Sequence, residues 1–143
     1  MTLLDAYAVL ALLKDEPAAE AVGDLVRGGG RLTAIGVSEV LDHLIRLVGA
    51  DEDDAVLDLA ELGLLDCEPV DGSLGILAGL LRAKHYHRTK RAVSLADCVA
   101  AEAARRLDLP LATSDPHLLA LCHEEGIDSH PLSDSSGATW SPN

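Results

Sequence analysis

Four acidic residues stand at positions from which they could act together on one ligand: Asp5, Glu39, Asp97 and Asp115. Two carboxylates 4 Å apart repel by about 1 kcal/mol in water and by about 4 kcal/mol at an effective dielectric near 20. A cleft that gathers four of them must therefore bind protons or cations. An all-oxygen site favours Mg²⁺ or Mn²⁺, as one or two ions, and such a site can support phosphodiester hydrolysis.

Each of these acids could instead serve only as a helix cap. Ser94-Leu95-Ala96-Asp97 matches a capping box, in which two side chains satisfy free N–H groups at a helix start. Ser94 has no paired histidine, so we interpret it as the N-cap rather than as a nucleophile. The six histidines are scattered without a metal-binding motif and are assigned to surface or structural roles. Asp42 shares part of a helix face with Glu39 and is an accessory candidate only.

The elements that must position the acids alternate along the chain. We predict strands at Leu3-Leu4, Arg31–Ile35, Leu64–Val70 and Leu109–Thr113, with a possible edge strand over Ile127–Leu132. Predicted helices lie over residues 5–13, 18–26, 36–48, 51–62, 71–87, 94–107 and 115–125. This alternation indicates an α/β fold with a central parallel sheet covered on both faces. In such sheets ligands bind at the carboxyl ends of the strands, where the acids would meet.

Composition sets the size of the domain and its class of partner. A chain of 143 residues that is 48% hydrophobic predicts one domain, here residues 1–132, followed by a flexible C-terminal tail over 133–143. The formal net charge of −13 argues against nonspecific nucleic-acid binding by the whole surface. Residues 82–91, in contrast, carry only basic charges. These cations are either RNA contacts or the solvated end of a helix: Arg82, Lys84, Arg88, Lys90 and Arg91.

Cysteine usage and hydropathy bear on the compartment. The three cysteines, Cys67, Cys98 and Cys122, are odd in number and form no CxxC pair, which suits a reducing environment. The longest uncharged run, Gly72 to Leu81, is too short to cross a bilayer. We therefore expect a cytoplasmic protein without a membrane partner.

Several segments also resemble a known family. The stretches LLDAYAVLALL, TAIGVSEVLDHL and SLADCVAAEAARRLDLPLATSD, with the spacing between them, are similar to a PIN domain of the VapC-like toxins of type II toxin–antitoxin systems. The resemblance extends to about residue 132. It implies a three-layer α/β/α fold and a Mg²⁺- or Mn²⁺-dependent endoribonuclease that leaves 5′-phosphate and 3′-hydroxyl ends.

The resemblance also implies site residues and partners. Asp5, Glu39, Asp97 and Asp115 take the acidic positions of the family, with Asp5 and Asp97 as the direct metal ligands. Thr113 takes the hydroxyl position before the last acid. A homodimer, a VapB-like antitoxin and an RNA substrate are the implied partners. Ala6 stands where many relatives carry a small hydroxyl residue.

Two alternatives to a ribonuclease stay open at this point. One is a noncatalytic PIN-like module that only binds a partner. The other is a different Mg²⁺-dependent phosphoryl hydrolase with the same acidic cleft. A haloacid-dehalogenase-like enzyme would carry a second Asp at position 7, where this chain has Tyr7, and a receiver domain would carry a late lysine, whereas no lysine follows Lys90.

Overall fold

The computed structural model describes residues 1–142, and a small parallel sheet lies at its centre. Three strands lie side by side in the order β1 (Leu3–Leu4), β2 (Leu111–Thr113) and β3 (Ser129–Pro131). On the other side of β1, single parallel bridges join Leu3 to Arg31 and Thr33 to Glu68. The predicted parallel sheet is confirmed, and β3 is the predicted edge strand.

Most of the helices begin where a side chain satisfies one of their first N–H groups. Their bounds are α1 (Ala6–Leu13), α2 (Ala19–Arg27), α3 (Ala34–His43), α4 (Glu52–Glu61), α5 (Gly72–His85), α6 (Leu95–Leu107) and α7 (Pro116–Glu125), with a π-helical turn over Leu44–Val48 after α3. Six of them start at a capping side chain, namely Asp5, Thr33, Asp51, Asp71, Ser94 and Asp115. Across residues 1–142, no helix combines the length and apolar character needed to span a bilayer.

Two apolar cores, one on each face of the sheet, hold the helices in place. Leu3 and its register partner Leu111 lie in a core with residues of α5, α6 and α7. Leu4 and its partner Ala112 lie in a second core with residues of α1 to α4. Successive strand residues point to opposite faces, so the two-residue β1 contributes to both cores. The three-layer α/β/α arrangement is thereby confirmed.

Two predicted strands are much shorter than expected. The strand predicted over Arg31–Ile35 is reduced to the bridges at Arg31 and Thr33, because the Thr33 hydroxyl accepts a hydrogen bond from the Gly36 N–H (3.0 Å) and starts α3. The strand predicted over Leu64–Val70 is reduced to the bridge at Glu68. The backbone turns there through Gly63, whose φ of 74° is a left-handed conformation that favours glycine.

The segment after β3 is held by local hydrogen bonds. The Asp134 carboxylate accepts hydrogen bonds from the N–H groups of Ser136 (2.9 Å) and Ala138 (3.0 Å). The ring of Trp140 lies 6.3 Å from that of His123 on α7. Flexibility of the predicted tail 133–143 stays a prediction, and Asn143 lies outside the described residues.

Candidate active site

Asp5 and Thr113 join the carboxyl ends of β1 and β2. Asp5 follows β1 directly and is the N-cap of α1, where its Oδ1 accepts the Ala8 N–H at 2.8 Å. Its Oδ2 accepts a hydrogen bond from the hydroxyl of Thr113, the last residue of β2. The Asp5 residue is only 6% exposed, and Thr113 is fully buried. The sheet thus places a buried, hydrogen-bonded carboxylate at its carboxyl edge.

Asp115 extends this arrangement to the start of α7. Its backbone N–H donates to the Thr113 hydroxyl at 3.1 Å, and its Oδ1 accepts the His117 N–H at 2.8 Å. Pro116 occupies the first turn of α7, where the lack of an N–H has no cost. Asp5, Thr113 and Asp115 therefore form one connected hydrogen-bond group at the carboxyl edge of the sheet.

Asp97 lies in the first turn of α6 and forms the predicted capping box. Its Oδ2 accepts the Ser94 N–H at 2.9 Å, while its own N–H donates to the Ser94 hydroxyl at 3.0 Å. Asp97 Oδ1 accepts no hydrogen bond from residues 1–142. Glu39 lies in the middle of α3 and takes no part in capping. Both acids keep at least one carboxylate oxygen free of the helix backbone.

The charges of the four acids act on one another. Burial raises the pKa of Asp5 to about 7, hydrogen bonds from Thr113 and Ala8 oppose this, and the charges of Asp97 and Asp115 raise it further. Burial raises the pKa of Glu39 as well, with a further contribution from the charge of Asp97. Acids from four separate elements are therefore close enough for the charge of one to raise the pKa of another.

Asp97 interacts electrostatically with each of the other three acids. Burial raises its pKa, the Ser94 backbone and hydroxyl lower it by hydrogen bonding, the charge of Asp115 raises it and the charge of His117 lowers it. Raised pKa values in several neighbouring acids mark a site that favours the uptake of protons or cations. This is the electrostatic property expected of a carboxylate cleft.

The donor set fits a water-rich divalent site rather than a closed metal cage. Within residues 1–142, no three His, Cys, Asp or Glu side chains lie close enough together to enclose a metal ion. Mg²⁺ keeps several waters and is commonly bound through only one or two carboxylates together with substrate phosphate. The free oxygens of Asp97 and Glu39 beside Asp5 and Asp115 suit that mode. The assignment of these four acids as metal ligands stays a prediction.

Most of the predicted RNA-contacting cations have partners in the fold. Lys84 pairs with Glu125 at 2.8 Å, and Arg91 pairs with Glu124 at 2.8 Å. Arg82 Nε donates to the Val93 carbonyl at 2.9 Å. The two remaining cations, Arg88 and Lys90, form no ion pair with residues 1–142. These contacts show a structural role for part of the basic run, and its RNA contacts stay a prediction.

Sequence reasoning missed a groove beside Asp115. The groove has a volume of about 360 Å³ and is lined by Tyr7 of α1, by Lys14 at the C-cap of that helix, by His43, and by the segment 132–135 after β3. The aromatic residue two positions after Asp5 was the only local signal. The groove itself depends on the C-terminal segment and on α3, which no local pattern connects to α1.

Comparisons with known proteins agree on the fold. The family model described as PIN domain matches residues 2–124. The crystal structure of FitAcB from Neisseria gonorrhoeae superposes with a TM-score of 0.66 at 18% identity, covering 90% of this chain and 96% of that chain. The structure of FitAB bound to an IR36 DNA fragment gives 0.68 at 19% identity, covering 91% and 94%. A toxin–antitoxin complex from Klebsiella pneumoniae gives 0.63 at 15% identity, covering 84% and 91%. No curated protein matches the sequence.

Proposed function

Because the chain belongs to the PIN domain family, we propose that it is a Mg²⁺- or Mn²⁺-dependent endoribonuclease and the toxin of a VapBC-type toxin–antitoxin pair. The observation that carries this proposal is the mutual repulsion of Asp5, Glu39, Asp97 and Asp115 at the carboxyl edge of the sheet. Ionised together, these acids need a compensating positive charge. A divalent cation held there with an RNA phosphate would supply that charge, which matches the chemistry of hydrolysis.

The residues of the chain take distinct roles in this proposal. Asp5 and Asp97 would hold the cation directly, and Glu39 and Asp115 would add to the negative charge around it. Thr113 is a positioning residue, since its hydroxyl joins the carboxylate of Asp5 to the backbone N–H of Asp115. When bound, such a cation would neutralise phosphate oxygens and lower the pKa of nearby water.

The reaction itself is hydrolysis of one RNA phosphodiester bond. A bond forms between the water oxygen and phosphorus, the bond between phosphorus and the 3′ oxygen breaks, and the 3′ oxygen takes up a proton. The products carry 5′-phosphate and 3′-hydroxyl ends. Ionised carboxylates in the cleft can accept the proton that the attacking water releases.

Metal-dependent RNA cleavage tests the proposal. The purified chain, freed of any bound partner, is incubated with total RNA in Mg²⁺, in Mn²⁺ and in EDTA. We expect cleavage in the metals and none in EDTA, with a loss of about 100-fold or more in Asp97→Asn. Asn can still accept the Ser94 N–H, so the variant removes charge while keeping the cap. Asp58→Asn, an exposed acid on α4, is the matched control and should cleave like wild type.

The other outcomes separate the alternatives. Cleavage that survives Asp97→Asn would contradict the proposed site. Wild-type protein that binds RNA but does not cut it in either metal would favour a noncatalytic module. Hydrolysis of p-nitrophenyl phosphate in place of RNA would favour the other phosphoryl hydrolase.

The antitoxin partner follows from charge. A chain with a net charge of −13 suits a basic antitoxin segment, and an arginine inserted into the carboxylate cleft would compete with metal. The Klebsiella pneumoniae structure, which shares this fold, is a toxin–antitoxin complex, and this likeness supports an antitoxin partner. To test this, the affinity of a copurifying basic partner is measured for wild type and for Asp115→Asn. Equal affinities would contradict an arginine contact in the cleft.

A homodimer is supported by an apolar face on α5. Ile76 and Leu80 are each 65% exposed, and Leu77 lies between them with a large exposed surface. Burying such a face against a second copy would remove apolar surface from water. Light scattering should give about twice the 15.0 kDa chain mass, and Leu80→Glu should lower it. A monomeric wild type would contradict this part of the proposal.

A cytoplasmic location is supported by the cysteines. Cys67, Cys98 and Cys122 are all free, and burial raises the pKa of both Cys98 and Cys122 to about 12, which keeps these thiols unreactive. Such thiols suit a reducing compartment. Fractionation of the producing cells measures the location directly, and recovery of the chain outside the cytoplasm would contradict it.

A further inference from the structure

Tyr7 is an exposed aromatic ring directly beside the acidic site. It lies two residues after Asp5 on α1 and is 60% exposed. The ring of His43 contacts it at a centroid distance of 6.1 Å and an interplanar angle of 83°. A perpendicular contact of this kind occupies at most one face of the tyrosine, so a flat partner can still stack on the other face.

The other aromatic side chains make contacts elsewhere in the fold. The sequence contains two tyrosines, one tryptophan and no phenylalanine. The Arg82 guanidinium lies over the ring of Tyr86, 4.2 Å from its centroid. Trp140 contacts His123 in the last turn of α7, at the opposite end of that helix from Asp115. Tyr7 is therefore the aromatic residue best placed to receive a base next to the carboxylates.

Tyr7 and His43 lie on a ridge between two concave surfaces. The groove of about 360 Å³ contains Asp115, and a smaller hollow of about 90 Å³ contains Glu39. Both are lined by Tyr7 and His43. A ligand that occupies either of these surfaces can therefore contact the aromatic pair.

A cation lies at the edge of the same ridge. Lys14 lines the larger groove, and its Nζ lies 3.4 Å from His43 Nε2 and 3.4 Å from a carboxylate oxygen of Glu16. The Lys14 side chain is still 38% exposed. On a surface with a net charge of −13, a phosphate needs such a local positive charge in order to approach the acids.

We propose that Tyr7, His43 and Lys14 form a subsite for one unpaired nucleotide of single-stranded RNA, with the base stacked on Tyr7 and a neighbouring phosphate at Lys14. This inference rests on the proposed ribonuclease function and deepens it. Bases in a duplex already stack on one another, whereas an unpaired base can turn out onto an aromatic side chain. The subsite therefore selects unpaired segments of RNA without selecting their sequence.

Binding of a single-stranded oligonucleotide tests the subsite. The probe is fluorescein-labelled oligouridylate of about 12 nucleotides, with a duplex of equal length as reference, and the affinity is measured by anisotropy in EDTA so that no cleavage occurs. Tyr7→Leu should weaken single-strand binding about tenfold and leave duplex binding unchanged, while Tyr7→Phe, which keeps the π face, should bind like wild type. Lys14→Gln should lower the slope of log affinity against log salt by about 0.7.

Tyr86→Leu is the comparison variant, because it makes the same change at an exposed tyrosine beside the basic run. It should leave affinity unchanged. A loss in Tyr86→Leu with none in Tyr7→Leu would move the RNA surface to the basic run and overturn the subsite. Equal weakening in Tyr7→Phe and Tyr7→Leu would also overturn it, since stacking does not need the hydroxyl. If Tyr7→Leu binds and cleaves RNA like wild type, the subsite fails while the ribonuclease stands; if wild type neither binds nor cleaves RNA, both fail.

Discussion

Replacing Asp5 with Asn should stabilise the metal-free protein at alkaline pH. The Asp5 carboxyl is buried, and burial together with the charges of Asp97 and Asp115 raises its pKa from 3.8 to about 7 despite two hydrogen bonds. The folded protein therefore holds the Asp5 proton more tightly than the unfolded chain does. Stability from this group is fully present below pH 3.8 and is lost as the pH rises through about 7.

The size of the effect follows from that difference in pKa. Each tenfold change in proton affinity is worth about 1.4 kcal/mol. Because the unfolded chain ionises Asp5 more readily, the free energy of unfolding falls, relative to low pH, by about 1 kcal/mol at about pH 4.5 and by about 4 kcal/mol at about pH 8. Asn is a good N-cap and cannot ionise. The stability of Asp5→Asn relative to wild type should therefore rise by about 3 kcal/mol between these two values of pH.

Urea unfolding followed by circular dichroism measures this change. Wild type, Asp5→Asn and the exposed control Asp58→Asn are unfolded in EDTA at about pH 4.5 and about pH 8. Saturating Mn²⁺ at the higher pH should stabilise wild type more than Asp5→Asn, because the variant lacks one charge of the site. A pH-dependent difference of less than about 0.5 kcal/mol would refute the reasoning, and so would a wild type that is the more stable protein at alkaline pH in EDTA.

Other variants test contacts around the site. Thr113→Val should cost about 1–3 kcal/mol at alkaline pH, because ionised Asp5 loses a buried donor, and Thr113→Ser should recover most of the loss in urea unfolding. The hydrogen bond from Lys84, with others, lowers the pKa of Glu125 to about 2. Glu125→Gln should therefore be less stable than wild type above pH 4.5, with a difference in melting temperature that shrinks as the pH falls towards 2. Ser94→Ala should lower the free energy of unfolding by about 1 kcal/mol through loss of its N-cap, and an unchanged value would contradict the capping box.

Local signals predicted the helices well and the strands poorly. Caps such as Thr33 and Ser94 satisfy N–H groups within three residues, so their effect is visible in a short stretch of sequence. A strand is stabilised by a neighbour far along the chain, and the segments near Arg31 and Glu68 each pair through a single bridge. Their apolar residues signalled burial, but how many residues pair is decided by the fold as a whole.

The same distinction applies to the site. Asp5 and Asp115 could be placed because the carboxyl ends of parallel strands share one edge of the sheet. The ion-pair partners of the basic run could not be predicted, because Glu124 and Glu125 lie more than thirty residues away on α7. The ridge of Tyr7 and His43 was missed for a similar reason, because it combines α1 with the end of α3.

Asp5 and Asp97 both cap helices and are candidate ligands, and their electrostatics show why one role does not exclude the other. The Ala8 N–H lowers the pKa of Asp5, and the Ser94 N–H lowers that of Asp97, as a cap should. In both acids burial is the larger effect, and the pKa is still raised. The caps therefore fix the direction of each carboxylate without compensating its charge. A bound cation would favour the ionised form of both acids at neutral pH, and the caps would already have oriented their oxygens.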